Sequence, residues 1–273
     1  MNKIVLDYDG YICKSFYANK EDMTNFDSAE KILKDLVAAS YEKACEYFNS
    51  KNVKIYKIVS GHSWKKDVYP SYKRSRKRDE FLGIYRQMII DKHKPIMAPQ
   101  LEADELIVAI SDYSRAIEDK NIVVFSDDKD IRYYTEKFCK INILEQIQEH
   151  DIQSMSYQQL IQMLVGDKED NISGVPKVGE KTAPKLLEQY GFSIDGVISI
   201  YKDKGIEIDQ TLRDLLLIIP MSDSYLDKTE SLYNLAHQVI NSGKVDDLTV
   251  MDTIINQIQY LNKKVTDIYN KED

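Results

Sequence analysis

Carboxylates occur in four clusters along the chain, at positions where they could gather around a metal ion. Each cluster follows the end of an apolar segment or opens a helical pattern. The members in the most suitable positions are Asp7, Glu102, Asp104, Glu105, Asp128, Asp130, Asp167 and Asp170. Oxygen ligands favour a hard divalent cation, Mg²⁺ or Mn²⁺, over zinc. The four histidines are scattered, and the three cysteines lack metal-site spacing.

Two such cations could activate a water and stabilise the leaving oxygen of a phosphodiester, so that no histidine base is needed. For residues 102–105 a simpler explanation stays open, because acids in the first turn of a helix also stabilise its dipole.

A basic segment, residues 64–78, carries the opposite charge. From Lys65 to Arg78 it has seven basic residues and one acid, interleaved with Trp64, Tyr69 and Tyr72. Basic groups neutralise phosphates and aromatic faces stack on bases, whereas the alternative is a solvated basic loop. The net charge of −8 is unusual for a nucleic-acid binder. Because the basic residues are segregated, the phosphate interpretation is favoured.

The acidic stretch 165–171 leads directly into a glycine-rich turn. Residues 174–183 read Gly-Val-Pro-Lys-Val-Gly-Glu-Lys-Thr-Ala, which is typical of a helix–hairpin–helix. Backbone N–H groups in such a turn can hold a phosphate, and they carry no sequence information.

The elements that must position these residues follow from the apolar periodicity. Strands are predicted at 4–6, 54–59, 121–125 and 140–144, with helices at 27–48, 81–93 and 101–110 between them. This alternation predicts an α/β fold with a doubly wound, mainly parallel sheet, whose strand ends converge on one edge. Further helices are predicted at 157–165, 180–190, 194–202, 209–219, 229–241 and 247–268.

Two domains are therefore expected. Residues 1–155 form an α/β core with an arch-like segment at about 62–95, and residues 156–273 form a helical domain with the hairpin at about 166–190. The composition is that of a globular protein, with no membrane-spanning stretch or signal peptide. Cys13, Cys45 and Cys139 are expected to be reduced thiols, which predicts a cytoplasmic protein.

Together these motifs resemble the 5′ nuclease family of flap endonucleases and 5′–3′ exonucleases, which includes the N-terminal domain of bacterial DNA polymerase I. The similar segments, in the family's order, are 6–18 (N-terminal metal motif), 69–73 (Tyr-Pro-Ser-Tyr-Lys), 101–105 (Leu-Glu-Ala-Asp-Glu), 126–130 (Ser-Asp-Asp-Lys-Asp) and 166–176 (Gly-Asp-x-x-Asp-Asn with the hairpin). No polymerase region accompanies them, as in the stand-alone bacteriophage enzymes, which act in the cytoplasm of the host.

The resemblance implies a Mg²⁺-dependent, structure-selective nuclease that cuts DNA at 5′ ends, flaps or RNA primers in replication. It implies two ions, replaceable by Mn²⁺, and a monovalent cation at the hairpin. The first ion would be held by Asp7, Glu102, Asp104 and Glu105, and the second by Asp128, Asp130, Asp167 and Asp170. DNA with a 5′ single strand or flap, an RNA–DNA hybrid and replication proteins are the expected partners of a monomer.

Residue roles follow from the same resemblance. Lys73 and Arg74 would contact the scissile phosphate and, with Asp128, are the predicted catalytic residues. Tyr72 would stack on a base, and Arg76 and Arg78 would line the arch. The complete predicted DNA-binding set is Tyr72, Lys73, Arg74, Arg76, Arg78, Gly174, Val175, Gly179, Lys181 and Thr182.

Ser60 departs from the family pattern, which has an aspartate of the first metal site at this position. Its absence could weaken that site, change the metal preference or reduce cleavage, and Asp9 or Asp67 could substitute. The alternative function is a nuclease-fold DNA-binding protein with weak or no cleavage. A PIN-type ribonuclease shares the sheet and the acidic edge, but it does not predict the hairpin or the basic segment.

Overall fold

A computed structural model shows an α/β sheet followed by a helical region. It describes residues 1–19, 24–77, 79–117, 119, 121–141, 144, 146–149, 152–219 and 230–271, without the side chains of 152–156 and 230–232. The strands are β1 (Asn2–Asp7), β2 (Val53–Ser60), β3 (Ile96–Ala98), β4 (Ile122–Phe125), β5 (Lys137–Cys139) and β6 (Gln148–Glu149). The helices are α1 (Tyr8–Ala18), α2 (Phe26–Phe48), α3 (Trp64–Val68), α4 (Glu80–His93), α5 (Ala103–Ala116), α6 (Lys129–Arg132), α7 (Ile152–Val165), α8 (Ala183–Tyr190), α9 (Ile194–Asp203), α10 (Ile208–Ile218), α11 (Glu230–Ser242) and α12 (Asp247–Tyr269).

The sheet has the strand order β3-β2-β1-β4-β5-β6. The first five strands are parallel, and β6 pairs antiparallel with β5. In the centre, Asp7 pairs with Ile58 of β2, and Leu6 pairs with Phe125 of β4. The carboxyl ends of β1, β2 and β4 therefore lie side by side, at the edge where parallel sheets place their ligands.

Helices cover both faces of the sheet. Successive side chains of a strand point to opposite faces, so the apolar residues of the central strands need a packing partner on each side. Ile4 and Leu6 of β1 join a core with α1, α2 and α4, whereas Val5 between them joins the core on the other face. This second core contains most of the apolar side chains of α5 and continues into α7 to α12. None of the helices among the described residues has the length and apolarity needed to cross a bilayer.

The predicted fold class is confirmed, with local differences. Residues 137–139 form β5, whereas the predicted strand was 140–144, of which residues 142 and 143 lie outside the description. Ile141 is buried just after the strand, and its apolar side chain led to a predicted strand that lies too far along the chain. α8 begins at residue 183 rather than 180, because residues 180–182 are a turn. The predicted boundary at 155/156 falls inside α7, and one core extends across it.

Candidate metal and nucleic-acid site

Asp7 stands at the junction of β1 and α1, where it is the N-cap of the helix. The Ser126 hydroxyl donates to Asp7 Oδ2 at 2.6 Å and accepts the Asp128 N–H at 3.0 Å, so it ties the ends of β1 and β4 together. Burial raises the pKa of Asp7 to about 7, and the charges of Asp9 and Asp128 add to the effect. A carboxyl in this environment gains stability from a cation beside it.

Glu102 and Asp104 open α5, at the same edge. Glu102 accepts from the Tyr72 hydroxyl at 2.8 Å and from Lys73 Nζ at 2.8 and 2.9 Å. Burial opposes ionisation of Glu102, but Lys65 and Lys73 nevertheless lower its pKa. For half-buried Asp104, burial and the neighbouring charge of Glu102 raise the pKa to about 8.

Glu105 is fully buried, and its oxygens are already engaged. Oε1 accepts from the Trp64 indole at 3.1 Å and lies 3.2 Å from Lys65 Nζ, while Oε2 accepts the Glu102 backbone N–H at 3.0 Å. These contacts count against the predicted metal-ligand role of Glu105. Its carboxylate instead closes a capping box at the start of α5.

Asp128 and Asp130 follow β4 in the same way. Asp128 is the N-cap of α6 and accepts the Asp130 N–H at 2.7 Å. Asp130 accepts from the Gln162 amide at 3.2 Å. Burial, together with the charge of Asp128, raises the pKa of Asp130 to about 6.

Asp167 and Asp170 belong to a tight loop after α7. Backbone hydrogen bonds of 3.0 and 2.8 Å join Asp167 and Ile172, and the Asp167 carboxylate accepts the Glu169 N–H at 2.9 Å. Burial raises the pKa of Asp170, while Lys73 and Arg76 oppose the rise. The fold thus brings together four of the predicted acids, because a single cleft is lined by Asp104, Asp130, Asp167 and Asp170.

The basic segment is folded onto this acidic loop. The Lys73 N–H donates to Asp170 O at 3.2 Å, and the Asn171 amide donates to Ser71 O at 2.7 Å. Lys73 Nζ consequently lies between Glu102 and Asp170, 3.9 Å from the latter, and Arg76 pairs with Asp170 at 2.5 Å. Arg74 is exposed, and Arg78 lies outside the described residues.

Tyr72 does not fit the predicted role in base stacking. Its side chain is 4% exposed, because it packs against Ile172 and Leu217 and donates to Glu102. The ring therefore supports the acidic edge instead of offering a free face.

The hairpin uses several of its N–H groups internally. Val175 N–H donates to Leu164 O at 2.8 Å, Gly179 N–H donates to Thr182 Oγ1 at 2.9 Å, and Gly174 is buried. These three predicted contacts therefore do not offer free groups to a phosphate. Lys181 and Thr182 are exposed just before α8 and stay candidates for DNA binding.

Sequence reasoning missed three polar residues at this edge. Ser126 joins two strand ends, Lys65 is buried beside Glu105, and Arg86 of α4 pairs with Asp9 at 2.6 Å. Ser126 had a signal, because it directly follows a buried strand. Lys65 and Arg86 had none, because tertiary contacts alone distinguish them from solvated side chains.

The donor set fits a hard divalent cation by its chemistry. Among the described histidines, cysteines and acids, no three side chains enclose a preformed metal position. However, burial and mutual repulsion raise the pKa of several carboxyls at one edge, namely Asp7, Asp104, Asp130 and Asp170. Oxygen donors crowded in this way are relieved by a divalent cation.

A parallel sheet with an acidic carboxyl edge, a basic segment folded against it and a following hairpin is the arrangement that the resemblance to 5′ nucleases implied. A family model described as "5′-3′ exonuclease, C-terminal SAM fold" matches residues 153–247. The 5′-3′ exonuclease of Mycoplasmopsis pulmonis is 25% identical over 202 residues, which cover 68% of this chain and 66% of that protein. DNA polymerase I of Bacillus caldotenax is 54% identical over 50 residues, 18% of this chain and 6% of the polymerase.

The solved bacteriophage T5 flap endonuclease, in a complex with DNA and metal ions, has the same fold. Its TM-score is 0.58 at 13% identity, and the match covers 99% of this chain and 100% of that one. Over the matched residues the chain is similar to 5′ nucleases, and it spans less than two thirds of the length of the curated relatives described above.

Proposed function

We propose that this protein is a Mg²⁺-dependent, structure-selective 5′ nuclease that hydrolyses DNA phosphodiesters near a free 5′ end. The observation that carries the proposal is the position of Lys73, which lies between Glu102 of the first acid group and Asp170 of the second. A phosphate placed there meets a cationic side chain and two sets of oxygen ligands at once.

The carboxylates would hold two cations, Mg²⁺ or Mn²⁺. Asp7, Glu102 and Asp104 are the residues for the first, and Asp128, Asp130, Asp167 and Asp170 for the second. When bound, such ions supply an activated water and stabilise the leaving oxygen. Lys73 and Arg76 pair with Glu102 and Asp170 here, and they would be free to leave these carboxylates if a cation were held there. Both side chains can then neutralise the phosphate, where charge develops during cleavage.

DNA recognition is assigned to exposed basic groups, Arg74 and Arg76 of the basic segment and Lys181 of the hairpin. Contacts between such side chains and the phosphates of DNA select the shape of DNA rather than its sequence. A 5′ flap is the preferred substrate, an RNA–DNA hybrid is a second one, and the similarity to DNA polymerase I points to replication in the cytoplasm.

The decisive experiment incubates the purified chain with Mg²⁺ or Mn²⁺ and a duplex that carries a labelled 5′ flap. We expect metal-dependent cleavage near the junction, loss of cleavage with Asp104→Asn, and normal cleavage with Asp67→Asn, whose carboxylate is exposed and pairs with His62. An uncut flap at every enzyme concentration and with both metals rejects the proposal.

Ser60 favours a second candidate, a DNA-binding protein of the same fold with little cleavage. The hydroxyl of Ser60 accepts the Ala103 N–H at 3.0 Å and supplies no carboxylate. A gel-shift titration beside the cleavage assay separates the two functions, since binding without cleavage supports the second candidate.

A further inference from the structure

Ser60 has a structural task at the end of β2. Its hydroxyl oxygen accepts the N–H of Ala103, in the first turn of α5, between Glu102 and Asp104. A serine satisfies this donor without adding another negative charge to the edge. The position nevertheless lacks a charged oxygen ligand for a cation.

Asp9 brings a carboxylate to the same place from another element. It lies in the first turn of α1, two residues after Asp7, and its Oδ2 accepts the Ser60 N–H at 2.7 Å. The hydrogen bond fixes the carboxylate against the backbone at the end of β2. By contrast, Asp67 is 59% exposed and pairs with His62 at 2.7 Å.

Arg86 pairs with Asp9 in this position. Its Nε donates to Asp9 Oδ1 at 2.6 Å, and its Nη2 contacts Asp9 Oδ2 at 3.3 Å and donates to Ser60 O at 2.6 Å. The side chains of Arg86 and Asp9 are 33% and 26% exposed. Ion pairs that reach water contribute little net free energy, so that a divalent cation can compete with the guanidinium.

We propose that Asp9 supplies the first cation site with the carboxylate that Ser60 lacks, and that Arg86 neutralises Asp9 until the cation binds. The inference rests on the proposed function, because it needs a cation at this edge. Residue 9 thus performs from α1 the task that an acid at residue 60 would perform from β2.

The test measures Mn²⁺ binding to the full chain without DNA, by the electron paramagnetic resonance signal of unbound Mn²⁺. Asp9→Asn should weaken Mn²⁺ binding at the first cation site by about tenfold or more, the scale on which metal sites respond to a lost partner. Asp67→Asn is the matched control and should bind like the parent. Adding Ser60→Asp to the Asp9→Asn variant should restore the affinity, since the carboxylate returns from β2.

Arg86→Met gives a change of opposite sign. Removal of the competing guanidinium should strengthen Mn²⁺ binding severalfold, whereas a purely structural pair predicts unchanged or weaker binding. If circular dichroism shows that Asp9→Asn does not fold, this second variant decides the question.

The outcomes separate this inference from the proposed function. No Mn²⁺ binding by the parent rejects the cation site and with it the nuclease proposal. Binding by the parent with an equal affinity in Asp9→Asn overturns the role of Asp9 alone, as does unchanged or weaker binding in Arg86→Met.

Discussion

At the scale of single residues, the acids that open α5 have different environments although they are close in sequence. Glu102 is neutralised by Lys73, and Glu105 is enclosed by Trp64 and Lys65. Asp104 has a pKa raised to about 8 because burial and the charge of Glu102 disfavour its ionised form. These environments predict different consequences of removing each charge.

Asp104→Asn should stabilise the metal-free protein at alkaline pH. The folded-state pKa of about 8 lies above the ordinary 3.8, so the folded state binds the proton more tightly than the unfolded one. Stability therefore falls as pH rises from about 4 through 8, and the asparagine variant avoids this loss. Urea unfolding at pH 8.5 with a chelator should show a gain of about 1 kcal/mol. A variant less stable than the parent there contradicts the assigned environment.

Glu105→Gln should have the opposite effect on stability. Lys65 is 3% exposed on its side chain, and the variant removes its ion-pair partner, which leaves the buried ammonium with a hydrogen bond to Leu217 O and the charges of Glu102 and Asp104. We expect the free energy of unfolding to fall by about 3 kcal/mol, as for other broken buried pairs. Calorimetry with and without Mg²⁺ provides the measurement, and the stabilisation by Mg²⁺ should be kept. Equal stability of variant and parent would show that the pair is not needed.

At the scale of elements, the hairpin depends on the contact of two glycines. Gly166 and Gly174 have φ angles of +78° and +61°, and a Cβ on Gly174 would lie 2.5 Å from Gly166 N. A side chain at this position must therefore displace the loop that carries Asp167 and Asp170.

Gly174→Ala should destabilise the hairpin and weaken DNA binding together. The positive φ and the backbone clash predict a loss of at least about 2 kcal/mol, larger than that of an unstrained glycine-to-alanine change. Gly179→Ala is the matched control, because a Cβ there meets no atom within 4 Å. Thermal unfolding and a gel shift should separate the two variants. Equal behaviour would mean that the glycine contact is dispensable.

The contact between α2 and α4 gives a second prediction at this scale, which concerns stability at acidic pH. Burial alone would raise the pKa of Glu30, but hydrogen bonds from Lys34, Lys92 and His93 lower it to about 2. The stability from a lowered pKa is present above the ordinary value of 4.5 and is lost as pH falls toward 2. Glu30→Gln should therefore cost about 1–3 kcal/mol at pH 6 and much less at pH 2.5. Urea titrations at both pH values measure the difference, and a pH-independent cost contradicts this explanation.

The sequence predicted most elements because their signals are local. Apolar alternation located β1, β2 and β4, and the acids after them were expected at one edge because parallel strand ends converge there. The strand 137–139 was missed, since its place is decided by pairing with β4 rather than by its own short pattern. For a similar reason, Tyr72 was predicted to stack on a base and Glu105 to bind a metal ion, although both side chains are buried. Their burial depends on contacts with residues more than 25 positions away.

At the scale of the whole molecule, the predicted two domains share one hydrophobic core. The cluster that includes Val5 and Trp64 also contains Leu216, Val250 and Leu261 of the helical part. The Tyr56 hydroxyl of β2 donates to Ile240 O of α11 at 2.7 Å, which adds a polar link. Such continuity predicts that the sheet and the helices lose their structure in one step.

Unfolding should be a single transition by two independent probes. Trp64, the one tryptophan of the chain, is 4% exposed in the shared core and reports on the sheet side by fluorescence, whereas far-ultraviolet circular dichroism reports mainly on the helices. Leu216→Ala creates a cavity in the helical part and should cost about 2–5 kcal/mol. If the core is shared, this change must move the fluorescence midpoint and the dichroism midpoint by the same amount.

The control is a surface variant, Leu248→Ala, at a side chain that is 71% exposed. It should change the free energy of unfolding by no more than about 0.5 kcal/mol with either probe. Separate transitions, or a Leu216→Ala variant that shifts the dichroism midpoint alone, would show two independently stable domains.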